Sequence, residues 1–114
     1  MRIERFEEII SWQKAKLLTL EIYNIFEYQK DFNFKNQIQR SVISIMNNIA
    51  EGFERRTNKE FVQFLYIAKG SAGEVRSMLY LAKDLNYITE EQYKKLYDEI
   101  IVISKLISNF IKTL

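Results

Sequence analysis

Phe34, Ile38, Val42, Ile45, Ile49 and Phe53 recur at steps of four, four, three, four and four. An α-helix brings that spacing onto one face, and a face so uniformly apolar buries against a neighbour. Phe61, Leu65, Ala68, Ala72, Val75, Leu79 and Ala82 alternate fours and threes in the same way. That is the heptad seam of helices packed side by side, with Ala68 and Ala72 letting a neighbour come close. The chain has no Pro and only three Gly. Few breaks are therefore written into it, and a β-rich fold of this size would need more turn residues.

The breaks that exist divide the chain into four helices. The first is predicted from about Arg5 to Tyr28 and ends in a polar link where Asp31 and Asn33 can cap the next helix. The second runs from about Phe34 to Arg55, with Gly52 near its end, where a flexible residue is common. Thr57 and Glu60 form a capping box that opens the third helix. It continues to about Leu85 and stops at Asn86 and Tyr87, since Asn tolerates a left-handed turn. Thr89 and Gln92 repeat the box and start the fourth, which carries Tyr93, Leu96, Ile100, Ile103, Ile107, Phe110, Ile111 and Leu114 to the C-terminus. Links this short make sequential helices antiparallel. The expected fold is all-α: an up-down-up-down four-helix bundle, with residues 1–114 forming one domain.

Two helices hold more apolar surface than one bundle needs. On the first, Phe6, Ile10, Leu17 and Leu20 fall on one side, and Trp12, Ala15, Thr19, Ile22, Tyr23 and Phe26 on another. On the third, Phe64, Ile67, Ser71, Met78, Leu81 and Leu85 make a second seam interrupted by Glu74. Either the core is thick or the surplus meets another subunit. We expect self-association, with Trp12, Phe64, Ile67, Met78 and Leu81 as candidate interface residues.

The composition excludes several chemistries. Without Cys there is no thiolate nucleophile or disulfide, and without His the commonest general base and transition-metal ligand are missing. No Gly-rich phosphate loop is present, because Gly70 and Gly73 sit inside a helical pattern. No cofactor is expected. No apolar run reaches the roughly 18 residues of a membrane span. The start, MRIERFEEII, is too acidic for a targeting peptide, so a cytoplasmic protein with no membrane partner is expected.

Two polar surfaces stand out. The second helix carries Gln37, Arg40, Ser41, Ser44, Asn47, Asn48, Glu51 and Arg55 opposite its apolar face. Short neutral groups framed by a few charges suit a close polar contact better than free solvation. Arg40, Asn48, Glu51 and Arg55 lie within helical reach of one another. A carboxylate flanked by arginines makes an ion pair and a poor general base, so a structural role outranks catalysis by Glu51. A buried Glu51 that lost its partner would cost about 3–5 kcal/mol. On the third helix Tyr66, Lys69, Gly73, Arg76, Tyr80, Lys83 and Tyr87 alternate cations with rings. Arg55, Arg56 and Lys59 cluster at the preceding corner. Cations can hold phosphates and rings can stack on bases. Neither that spacing nor a net charge of only +2 is specific, and a solvated face with tyrosines covering lysine stems is the expectation that binding must displace.

Ser44-Ile45-Met46-Asn47-Asn48-Ile49-Ala50-Glu51-Gly52-Phe53 resembles the SIPxNIAEGF signature of the small bacterial four-helix bundle proteins first noticed in intervening sequences of 23S rRNA genes, some of them labelled ribosomal proteins. Trp12-Gln13-Lys14-Ala15 is similar to that family's WQKA start, and Gln37-Ile38-Gln39-Arg40-Ser41 to its Q-x-R-R-A segment. Phe64 to Ser71 resembles its FLYIAxGS segment, followed by an acidic residue at Glu74. Met46 stands where Pro is usual, which implies a straighter second helix, and Glu54 where Gly is common. The resemblance covers nearly the whole chain. It implies a homo-oligomeric ring, pentameric in known members, with no known enzyme activity. More distantly, the chain is similar to the accessory variability determinant of diversity-generating retroelements, which binds a reverse transcriptase and nucleic acid. The resulting expectation is a non-enzymatic homo-oligomeric scaffold. It would bind RNA or DNA through basic faces or, alternatively, act as a protein adaptor for an enzyme such as a reverse transcriptase.

Overall fold

In the computed structural model, which describes residues 2–114, a short 3-10 turn at Phe6–Glu8 precedes four helices. They are α1 (Ile10–Ile25), α2 (Phe32–Phe53), α3 (Asn58–Asp84) and α4 (Glu90–Lys112). At about 1.5 Å per residue, α3 alone accounts for the long dimension of a body measuring 43 × 22 × 19 Å. Each helix packs on its neighbours in sequence, and α4 returns to α1. Among the described residues the backbone of α1 does not come close to that of α3, nor α2 to α4, so each pair is diagonal. No helix among them is long and apolar enough to cross a membrane.

The caps fall close to the expected places. The Asp31 carboxylate accepts from the Phe34 N–H at 3.1 Å, so α2 opens two residues earlier than predicted. At Thr89 the box is complete: the Gln92 N–H donates to Thr89 Oγ1 at 3.0 Å, and Gln92 Oε1 accepts from the Thr89 N–H at 2.9 Å. At Thr57 only half of it forms, because Glu60 takes the Thr57 hydroxyl at 3.3 Å and leaves the backbone N–H of Thr57 alone. Asn86 adopts the expected left-handed turn, with φ 60°.

The first helix departs from expectation. It begins at Ile10 rather than Arg5, because the backbone turns extended at Ile9, whose side chain cannot cap. Its buried face is Ser11, Ala15, Leu18, Thr19 and Ile22. Leu18, fully enclosed, belonged to neither predicted face. Thr19 Oγ1 donates to the Ala15 carbonyl at 2.8 Å and lies 3.4 Å from the Val42 carbonyl. The Ser11 hydroxyl is buried with no partner among the described residues, beside an apolar groove of about 460 Å³ between the start of α1 and the end of α4.

The seams of α2 and α3 are the core the spacing predicted. Phe34, Ile38, Val42, Ile45 and Ile49 are buried, as are all seven α3 positions from Phe61 to Ala82. Gly52 is buried as well, but not for flexibility: it lies in regular helix, with no positive φ. A Cβ there would stand 2.5 Å from Phe64 Cβ and 2.9 Å from Phe61 Cδ1. Two backbones converge at this point, and only a bare Cα fits. Glu54 has φ −81° and ψ −1°, a conformation open to any residue, so Gly is not required there. α2 runs unbroken through Met46.

Gly52→Ala is expected to lower stability by about 1–3 kcal/mol through overpacking, although Ala is the better helix former by about 1 kcal/mol. Urea unfolding measures it. Unchanged stability would show that α2 and α3 can separate freely.

Candidate nucleic-acid and subunit interface

The polar stripe of α2 is drawn to α3 rather than onto itself. Gln37 Nε2 donates to the Glu74 carboxylate. Ser44 Oγ meets Ser71 Oγ at 2.9 Å, and Asn48 Nδ2 donates to both the carbonyl and the hydroxyl of Ser44 at 2.8 and 2.9 Å. Ser71 and Glu74, which interrupt the apolar seam of α3, are therefore its polar contacts with α2. Ser41 is buried and closes on the Gln37 carbonyl at 2.8 Å.

Glu51 stands outside this ladder. Its side chain is 57% exposed and accepts from Arg55 Nη2 at 3.2 Å, one turn away. Arg55 also lies over the Phe64 ring, 4.7 Å from its centroid. Arg40 is exposed and meets neither partner within the subunit. Within the subunit, then, Glu51 is exposed where a buried carboxylate was expected. An exposed pair one turn apart contributes about 0.3–0.5 kcal/mol, not the several kcal/mol of a buried one. The reason is position: the step from Asn48 to Glu51 carries the stripe around the helix, away from α3.

The ring-and-cation face of α3 turns partly inward, toward α4. Tyr80, Tyr93 and Tyr97 cluster with centroids 5.6–5.8 Å apart, and the hydroxyls of Tyr80 and Tyr97 are 3.3 Å apart. That bond raises the Tyr97 phenol above its ordinary range. Lys83 lies over the Tyr93 ring at 4.7 Å and faces Glu90 at 3.9 Å. Tyr80 and Lys83 are therefore engaged within the subunit. Tyr93 and Tyr97 escaped sequence reasoning because their partner helix is set by topology. Tyr66, Lys69 and Arg76 are exposed, and neither cation has an ion partner among the described residues. Arg55 and Arg56 line a cavity of about 380 Å³ at the end of the bundle with Phe53, Phe61 and Phe110, and Lys59 is the second residue of α3.

Of the predicted interface residues, Met78 is half-buried against the subunit's own core, Phe64 is half-buried beside Gly52 and under Arg55, and Trp12 packs edge-on to Phe6 at 5.1 Å. Ile67 and Leu81 remain 53% and 47% exposed, joined by Leu85 at 45%. On α1, Ile10, Leu17 and Leu20 are 52%, 59% and 58% exposed. Each group is an outward apolar stripe, and they lie on diagonal helices.

This four-helix chain has known relatives. The profile of the 23S rRNA-intervening sequence proteins matches residues 7–109. The chain belongs to that family. A structure of a protein of unknown function from the S23 ribosomal protein family of Bacteroides thetaiotaomicron is similar throughout, with a TM-score of 0.85 and 32% identity over 90% of this chain and 99% of that one. No curated protein matches the chain. Within the matched residues, Ser44 to Phe53 holds the Ser44–Asn48 part of the α2–α3 ladder and the Gly52 contact.

Tyr87, the last ring of the α3 face, donates its hydroxyl to Asp31 Oδ2 at 2.6 Å and packs on Phe34, tying the end of α3 to the start of α2. That bond, aided by the Phe34 N–H, holds the Asp31 carboxyl below its ordinary value of 3.8. A depressed carboxyl stabilises the fold above its unfolded pKa and loses that contribution as pH falls through the folded one. Tyr87→Phe is therefore expected to be less stable than the parent at neutral pH. The gap should narrow as pH falls below about 4. Urea unfolding across that range measures it, and a gap independent of pH would assign the loss to packing alone.

Proposed function

We propose that this protein is a non-catalytic scaffold that assembles from identical copies, head to tail, into a closed ring, with five subunits as the expected number. The observation that carries the reading is the diagonal placement of its two outward apolar stripes. One self-complementary patch would make a two-fold dimer. Two different patches on opposite sides join copies in sequence and close when the rotation allows. Exposed leucine and isoleucine at three positions on each helix have no use in a monomer.

A second observation favours RNA or DNA as the ligand of the assembled ring. Arg55, Arg56 and Lys59 stand at one end of the bundle, so a ring repeats them around one rim, and weak contacts then add through effective concentration. Tyr80 and Lys83, engaged with α4, leave this corner as the better phosphate surface.

Light scattering at micromolar concentration is expected to give a mass several times 13.7 kDa. Leu20→Glu should reduce it to that of one chain, because a carboxylate would be buried at each contact. A parent protein that is monomeric would overturn the assembly. Single-stranded RNA or DNA should bind more weakly as salt rises, and Arg56→Ala with Lys59→Ala should flatten that slope by about two contacts. No binding at low salt would remove the nucleic-acid reading and leave assembly standing.

A further inference from the structure

The outer face of α3 is shallow as well as apolar. A Cβ built on Gly70 or Gly73 meets nothing within 4 Å. Gly inside a helix costs about 1 kcal/mol relative to Ala. No close approach within the subunit accounts for either one, in contrast to Gly52. Ile67 lies on one flank of this shallow surface and Leu81 on its upper edge, both half-exposed.

The levels of the helices are set by their cross-contacts. Thr19 meets the Val42 carbonyl, and Ser44 meets Ser71. Val42 lies two residues before Ser44 on α2, about 3 Å along the axis. Since α3 runs opposite to α2, Val42 and Thr19 stand level with Gly73. The route through α4, where Lys95 holds Glu21 and Glu99 and Tyr97 meets Tyr80, agrees to within about two turns. Between the two routes, Leu17 and Leu20 of α1 lie at the height of the stretch from Ser71 to Leu81, whose outward small residues are Gly73 and Ser77.

A closed ring has no translation along its axis. When that axis runs along the bundle, residues that meet across the contact stand at one height. We infer that α1 of one copy lies parallel to α3 of the next, with Leu17 and Leu20 seated over Gly73 and Ser77. The occupant of the α3 face is thus a second copy of this chain, and the inference rests on the proposed ring assembly. Charge fits it on both flanks. Lys16 stands on the α2 side of α1, one turn before Thr19, and Glu74 on the α2 side of α3, where Gln37 reaches it. Glu21 stands on the α4 side of α1, bound by Lys95, and Arg76 on the α4 side of α3, one turn before Tyr80, which meets Tyr97 of α4. Each flank of the α1–α3 contact brings opposite signs together.

The chain has no cysteine of its own, so an engineered pair reports one contact only. The test is Leu17→Cys with Gly73→Cys, oxidised mildly and run on a non-reducing gel beside a control, Leu17→Cys with Leu85→Cys, set about 18 Å off level. Both sites are exposed, and the backbones of α1 and α3 do not come close within a subunit, so any bond joins two copies. A ladder of covalent multimers is expected from the first pair and little from the control. Mixing the two single variants should give a covalent dimer. Multimers seen by light scattering without that bond, or equal bonding in the control, would overturn this register and leave assembly intact. A monomeric mass with no bond would overturn both.

Discussion

The approach of α2 to α3 governs the rest of the bundle. At Gly52 the two helices come so near that no side-chain carbon fits between Gly52 and Phe64. Above that point hydroxyl, amide and carboxylate groups join them from Ser44 to Gln37. An apolar seam fixes which faces meet but slides easily along its length. Directional bonds and one point of close contact fix the register. With α2 and α3 set, α1 and α4 each have one groove left to fill, and the diagonal arrangement is the result.

Much of this was legible in the spacing of apolar residues. The whole α3 seam and the α2 face were readable because both are long and uninterrupted. The ends of α2, α3 and α4 were readable because Asp31, Thr57, Asn86 and Thr89 have side chains that act locally. Helix α1 was harder. It carries apolar residues on nearly every side, so periodicity could not separate Leu18, which is enclosed, from Leu17 and Leu20, which are not. Its start was misplaced because Arg5 to Ile9 contains no capping residue to mark where helix gives way to a tighter turn.

The candidate sites were legible only in part, for a related reason. Side-chain type says what a residue can do, while its neighbours decide what remains for it to do. Tyr80 and Lys83 pattern as a binding face in the sequence, yet Tyr93, Tyr97 and Glu90 from α4 engage them. Glu51 sits in the family motif among arginines, yet it faces outward at the edge of the stripe. Ser71 and Glu74 read as interruptions of a seam and prove to be half of the polar ladder. Each depends on which helix lies alongside, information that spacing within one helix does not hold.

The beginning of α1 has a consequence of its own. Its first turn has no side-chain cap, its Ser11 hydroxyl is enclosed without a partner, and an open groove lies beside it. An enclosed hydroxyl that finds no acceptor favours the open state, where water supplies one. These few turns are therefore where the bundle breathes most readily. Their amide hydrogens are expected to exchange with solvent before those of the α2–α3 pair, which the close contact at Gly52 and the polar ladder hold together.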